Sequence, residues 1–179
     1  MRYYHYISAI ILILLISSCG AYKKDSSRTS YPLESSPREY KDVRNHYAQL
    51  LHVHPHKLNP ALYAYIDEWI GTPHRLGGQD KSGIDCSGFV NNLFQRVYNM
   101  KLPRTSREMA EIVKRKYDHQ LKEGDLVFFA FGEKEIDHVG VYLHNDMFVH
   151  VSTKRGVMIS NLKESWFYKY LKRCGTPRM

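Results

Sequence analysis

The chain reads as an α+β protein in which helices come first and an antiparallel sheet follows. Three observations predict this. Upstream of Gly124 the apolar residues recur at helical spacing. Downstream they gather in short runs, residues 126–131, 138–143, 147–152 and 157–160, rich in β-branched and aromatic side chains and separated by turn formers. The two kinds of segment are grouped rather than alternated, which argues against a parallel α/β sheet.

The helices have legible starts. Ser36 is a cap with Pro37 in the first turn and Glu39 three residues on, and Tyr40, Val43, Tyr47, Leu50 and Leu51 continue at helical spacing. Asn59-Pro60 opens a second helix, with Leu62, Tyr63, Ile66, Trp69 and Ile70 as its stripe and Gly71 as its end. Between them lie His52, His54 and His56. In an extended segment these would share one face, the arrangement of a metal site, but a solvated loop is the plainer reading and no metal or cofactor is expected. Residues 72–84 form a loop containing three glycines. A third helix is expected from Cys86 to about Asn99, burying Phe89, Val90, Leu93, Phe94 and Val97. Thr105 and Glu108 form a capping box ahead of a helix carrying Met109, Ile112 and Val113.

The N-terminus indicates compartment. Arg2 precedes an apolar run, residues 7–16, that is too short to span a bilayer but has the length of a signal-peptide core. Ile16-Ser17-Ser18-Cys19 looks like a lipobox, so Cys19 is the expected lipidation site, with an ordinary secretory signal as the alternative. Gly20 after the cysteine points, by resemblance to other bacterial lipoproteins, to the outer membrane. The reading is therefore a signal peptide at 1–18, a flexible tether at 19–36, a helix and loop at 37–58 and a catalytic domain at 59–179, anchored on the periplasmic side.

With 179 residues, 43% of them hydrophobic, the chain can build a core. Its net charge of +8 suits an anionic partner, but the basic residues are scattered and no nucleic-acid signature appears. Of three cysteines, Cys19 is assigned to lipid. Cys174, near a basic C-terminus expected to fray, reads as a structural or incidental thiol.

Cys86 is different. Asp85-Cys86-Ser87-Gly88 lies where a loop becomes a helix, so unpaired N–H groups and the helix dipole should lower the thiol pKa. Small residues after it would let a substrate carbonyl reach the same N–H groups. A nucleophilic cysteine needs a histidine, and that histidine an orienting partner. His138 opens one strand run and His150 lies in the next, and Gly140 leaves room on the face of His138. For the two histidines to cooperate they must share a face. Opposed residues in an antiparallel pair share a face, so their numbers must sum to an even value. A plain two-residue turn at Asn145-Asp146 would give an odd sum. An odd-length loop or a parity-restoring bulge is therefore expected, with Gly140 opposite His150 and His138 on the diagonal.

The stretches GTPHRLGGQDKSGIDCSGFV, LPRTSREMA, KEGDLVFF, DHVGVYL and FVHVSTKRGVMIS occur in order between residues 62 and 173. Together they resemble the NlpC-type cell-wall cysteine peptidases, in particular the lipoprotein branch that resembles Spr. The resemblance implies a papain-like fold, a catalytic Cys86, His138 and His150, and hydrolysis of peptidoglycan stem peptides at D-Glu–diaminopimelate or D-Ala–diaminopimelate bonds. It also implies that Asp85 and Ser87 help bind substrate. One departure stands out: the family usually has Pro-Tyr where this chain has Pro73-His74, which puts a shorter, titratable donor in the cleft. The alternatives are an inactive wall-binding lipoprotein, a zinc site made by Cys86 and the two histidines, or an amidase or acyltransferase on the same fold.

Overall fold

A computed structural model describes residues 37–132 and 134–178; the signal segment, Cys19 and the tether lie outside the described residues. Helix α1 spans Pro37–Leu50 and α2 Pro60–Trp69. Strands β1 (Gln79–Asp80) and β2 (Gly83–Ile84) form a small antiparallel hairpin. Helix α3 runs from Cys86 to Tyr98 and α4 from Ser106 to Glu111. Then come β3 (Val113–Arg115), β4 (Leu126–Phe129), β5 (His138–Tyr142), β6 (Met147–Ser152), β7 (Gly156–Asn161), α5 (Ser165–Tyr170) and β8 (Leu171–Pro177). The six strands from β3 to β8 form one antiparallel sheet in the order β3-β8-β4-β5-β6-β7.

The expected helix starts form for the expected reasons. Asn59 accepts the N–H groups of Ala61 and Leu62 through its side chain, and Thr105 and Glu108 close a reciprocal capping box. Gly71 follows α2 with φ of 79°, a conformation that favours glycine, and Asn99 in the left-handed region ends α3. Leu50 and Ile70, expected in the core, are exposed, whereas Tyr47, Leu51 and Trp69 are buried. Helix α1 contributes Tyr47, Ala48 and Leu51 to the same core as α2, α3 and the sheet.

Several elements differ from expectation. Val113 does not extend α4: the helix ends at Glu111 and Val113 pairs with Pro177 in the sheet. The C-terminus does not fray either. Residues 171–177 are β8, hydrogen-bonded between β3 and β4, and Cys174 is buried there at 5% exposure. His52, His54 and His56 do not share an extended face, because His52 has a positive φ and residues 55–57 turn into a 3-10 helix. Among the described residues no group of three or more His, Cys, Asp or Glu is arranged to hold a metal.

The sheet is covered on both faces. One face, with Leu126, Phe128, Val139, Val141, Val149 and Val151, packs against helices α1 to α4. The other carries Val127, Phe129, Tyr142, Phe148 and Cys174, and is covered by Phe167, Tyr170 and Leu162. By strand alternation His138, His150 and Ser160 belong to this second face.

Candidate active site

Asp85 is the N-cap of α3, and Cys86 is the first helical residue. The Asp85 carboxylate is heavily committed. It accepts the Gly88 N–H at 2.6 Å and the Gly77 N–H at 2.9 Å, and both terminal nitrogens of Arg104 at 3.0 and 2.7 Å. Arg104 also donates to the Ser87 hydroxyl at 2.8 Å. Burial acts against the carboxylate, but Arg104 and the two N–H groups outweigh it and hold its pKa below the ordinary value. This cluster pins the loop ahead of α3 to the helix and so fixes the nucleophile's backbone. Gly88 is also packed tightly: a Cβ there would meet the Gly78 carbonyl oxygen at 2.7 Å. Its N–H is spent on the cap. The donors that remain at the helix mouth for a substrate oxygen are the N–H groups of Cys86 and Ser87.

Those two N–H groups and that of Val139 lie against the Cys86 sulfur. The thiol therefore sits at the start of β5, one peptide from His138. The expectation of a lowered thiol pKa is overturned. Burial is the largest influence and pushes the Cys86 thiol up, with the three N–H groups opposing it. Burial, with a smaller contribution from the nearby His74, lowers His138 to about 4. The thiol and the imidazole are accordingly each neutral at rest.

The hairpin joining β5 to β6 meets the parity condition. Asn145 and Asp146 both have positive φ, as in a tight two-residue turn, and the His144 carbonyl accepts the Met147 N–H at 2.9 Å. The Leu143 N–H donates to the Met147 carbonyl at 2.8 Å, so two residues face one across the ladder, a bulge. Gly140 then pairs with His150, as expected, and both histidines share a face. The space beside Gly140 does not go to substrate. A Cβ there would meet Phe148 Cδ2 at 2.7 Å and the His150 Cβ at 3.2 Å. The missing side chain allows the two histidines to approach.

His138 Nε2 lies 3.0 Å from His150 Nδ1, and His150 Nε2 lies 3.1 Å from the Ser160 hydroxyl. His150 is 4% exposed, and burial lowers its pKa to about 3, helped by the charge of His138. Both rings are thus neutral at pH 7, and one directional arrangement leaves a base available. In that arrangement His138 carries its proton on Nε2 and donates to His150 Nδ1, and His150 carries its proton on Nε2 and donates to Ser160. The lone pair on His138 Nδ1 is then free for the thiol proton. A cavity of about 520 Å³ lined by His150, Ser152, Ser160 and Asn161 adjoins this end of the pair.

His74 is held by a parallel bridge to Ile84, two residues before the nucleophile, and acts electrostatically on His138. His138 and His150 are thus in contact, Cys86 lies by the Val139 N–H next in sequence to His138, and His74 acts on His138, while Asp85 and Ser87 are buried in the Arg104 cluster. Arg104 and Ser160 were not anticipated. Ser160 was accessible to the parity argument, since Phe148 pairs with Ser160 and places it on the histidine face. Arg104 had no local signal beyond its place next to the Thr105 cap.

A helix-mouth thiol beside a hydrogen-bonded imidazole pair, on helices packed against an antiparallel sheet, defines the thiol-hydrolase type of site. The model of the NlpC/P60 family matches residues 71–176, and the chain belongs to that family. It is 43% identical over 107 residues to a probable endopeptidase NlpC homolog of Haemophilus influenzae, covering 60% of this chain and 56% of that protein. It is 34% identical over 175 residues to the murein DD-endopeptidase MepS/murein LD-carboxypeptidase of Escherichia coli, covering 91% of this chain and 86% of that one. Among solved structures, the NlpC/p60 domain of the peptidoglycan hydrolase SagA superposes with a TM-score of 0.57 at 26% identity, covering 66% of this chain and 99% of that one.

Proposed function

We propose that the protein is a cysteine peptidase that hydrolyses peptidoglycan stem-peptide or crosslink amide bonds. The observation that carries this reading is the His138–His150 contact at 3.0 Å, next to a thiol lying against the Val139 N–H. In the proposed reaction, Cys86 Sγ attacks the scissile carbonyl carbon as its proton passes to His138 Nδ1. The N–H groups of Cys86 and Ser87 receive the developing oxyanion. Protonated His138 then returns the proton to the leaving amine, which departs and leaves a thioester. Water, deprotonated by His138, attacks the thioester and releases the acid and the free thiol. His150 and Ser160 hold the His138 tautomer through both halves.

The names of the relatives support murein as the substrate. Asp85 and Ser87, locked to Arg104, are proposed to shape the substrate-binding wall rather than to contact substrate directly. His74 is proposed to contact substrate beside the nucleophile. We further propose that Cys19 carries a lipid that anchors the enzyme at the outer membrane; no helix among the described residues is long and apolar enough to cross a membrane.

The test is digestion of purified peptidoglycan fragments, with products identified by mass. The wild type should release fragments cut at a D-Glu–diaminopimelate or D-Ala–diaminopimelate bond, and Cys86→Ala should release none. Products cut between sugar and peptide would identify an amidase instead.

A further inference from the structure

Helix α5 turns Phe167 into the second core and leaves Trp166 58% exposed. The Trp166 indole is not isolated. It lies nearly parallel to Phe131, at 13° with ring centres 6.0 Å apart, and its edge meets Tyr170 at 4.9 Å. Phe131 in turn lies 5.4 Å from the His138 ring. The loop holding Phe131 is tied down by Asp137, whose carboxylate accepts the N–H groups of Phe131 at 3.0 Å and Gly132 at 2.7 Å. A column of rings therefore runs outward from the catalytic histidine to the exposed indole of Trp166, and its inner end is fixed by the residue just before that histidine.

The spacing decides how the surface is used. A third ring cannot slide between two rings at this separation, because two contacts of about 3.5 Å need about 7 Å. The open surface is the outer face of Trp166. An indole face takes a cation, another apolar ring or the C–H face of a sugar. A cation is disfavoured here, since Lys169 already lies 5.0 Å over Tyr170 beside Trp166. The ammonium of Lys169 suits hydroxyl or carboxylate groups carried around the rim of a ligand.

We propose that the outer face of Trp166, backed by Phe131, forms a platform for a pyranose ring of the glycan strand, holding the sugar while its attached peptide runs to Cys86. This rests on the peptidase reading above. The two ring-to-ring steps, 6.0 and 5.4 Å, put Trp166 within about three to four extended residues of His138. A stem peptide cut two or three residues from its sugar fits that reach.

The test compares a disaccharide-linked stem peptide with the same peptide lacking sugar, using the full chain. In the wild type the sugar-bearing substrate should have the lower KM. Trp166→Ala should raise the ratio of the two KM values, sugar-bearing over sugar-free, by about fivefold, the scale of one ring-stacking contact. Trp166→Phe should restore most of the difference. A parallel arm titrates the disaccharide peptide and the bare peptide into Cys86→Ala and into Cys86→Ala with Trp166→Ala, following binding by calorimetry. If the wild type cuts neither substrate, the peptidase reading falls, and the binding arm still decides the platform. An unchanged ratio together with unchanged binding overturns the platform. So does a Trp166→Ala variant that loses association with anionic phospholipid vesicles while keeping its preference for sugar, which would make the ring a membrane contact.

Discussion

The two described cysteines occupy opposite kinds of surroundings. Cys86 begins a helix, is partly accessible, and has three backbone N–H groups against its sulfur. Cys174 lies inside the sheet on β8, where burial together with Asp118 and Asp125 pushes its thiol up to about 12. Burial raises both pKa values, so burial does not separate a nucleophile from an inert thiol. The difference lies in whether donors and a base are placed to receive charge during reaction. Cys86 has them, and Cys174 faces carboxylates that oppose a thiolate.

The largest test of this contrast is a pair of substitutions. Cys86→Ala should reduce turnover by about four orders of magnitude or more, with little change in melting temperature. Cys174→Ala should keep turnover within about twofold and lower stability by about 1 kcal/mol through lost packing. Equal loss of turnover in two folded variants would break the comparison.

Removing the base comes next. His138→Ala should be nearly as damaging as loss of the thiol, whereas His150→Ala should cost about 10- to 100-fold in kcat, since it removes the orienting partner and leaves the base. Ser160→Ala should be milder still. If His150→Ala matched wild type, the 3.0 Å contact would carry no orienting role.

The neutral resting pair sharpens the comparison through pH. His138 titrates near 4, so kcat/KM should hold down to about pH 5 and fall below it, rather than falling near 6.5. On the alkaline side, the raised Cys86 pKa moves the descent above 9, the ordinary thiol value. An acid limb at pH 6.5 would indicate that the imidazole is charged at rest. Stability follows the same groups. Unfolded imidazoles bind protons below about pH 6.5, whereas native His138 and His150 bind them only near 4 and 3. The stabilisation they provide is complete above pH 6.5 and is lost progressively as pH falls toward 3, a trend chemical denaturation at several pH values would measure.

The smallest expected effect is at position 74. His74→Tyr should keep or raise activity, and His74→Ala should lower it a few-fold. Identical rates for all three forms between pH 5 and 9 would remove the residue from the mechanism.

Much of this site could be read from the sequence because its determinants are local. The Asp85 cap, the Thr105 box and the parity of the β5–β6 hairpin each depend on a few neighbouring residues and simple geometry. What escaped was non-local. β8 reads Leu171-Lys172-Arg173-Cys174-Gly175-Thr176-Pro177, with little alternation, and becomes a strand because β3 and β4 offer it two edges. Helix α5 has no side-chain cap and is held by its aromatic residues. Arg104 reaches back 19 residues to Asp85, a distance no short motif encodes.

The position of β8 has a consequence for the order of events as the chain folds. An exported chain emerges from the membrane N-terminus first, so β3 and β4 appear with a gap between them that residues 171–177 fill among the described residues. Until then β4 presents an open edge, a template for pairing with another chain. The strands that carry the histidines depend on β4 through β5, so the sheet beneath the reaction centre is completed only once residues 171–177 have arrived. A chain interrupted before residue 171 should therefore accumulate as an aggregation-prone, inactive fragment, even though every residue assigned to the chemistry is already present.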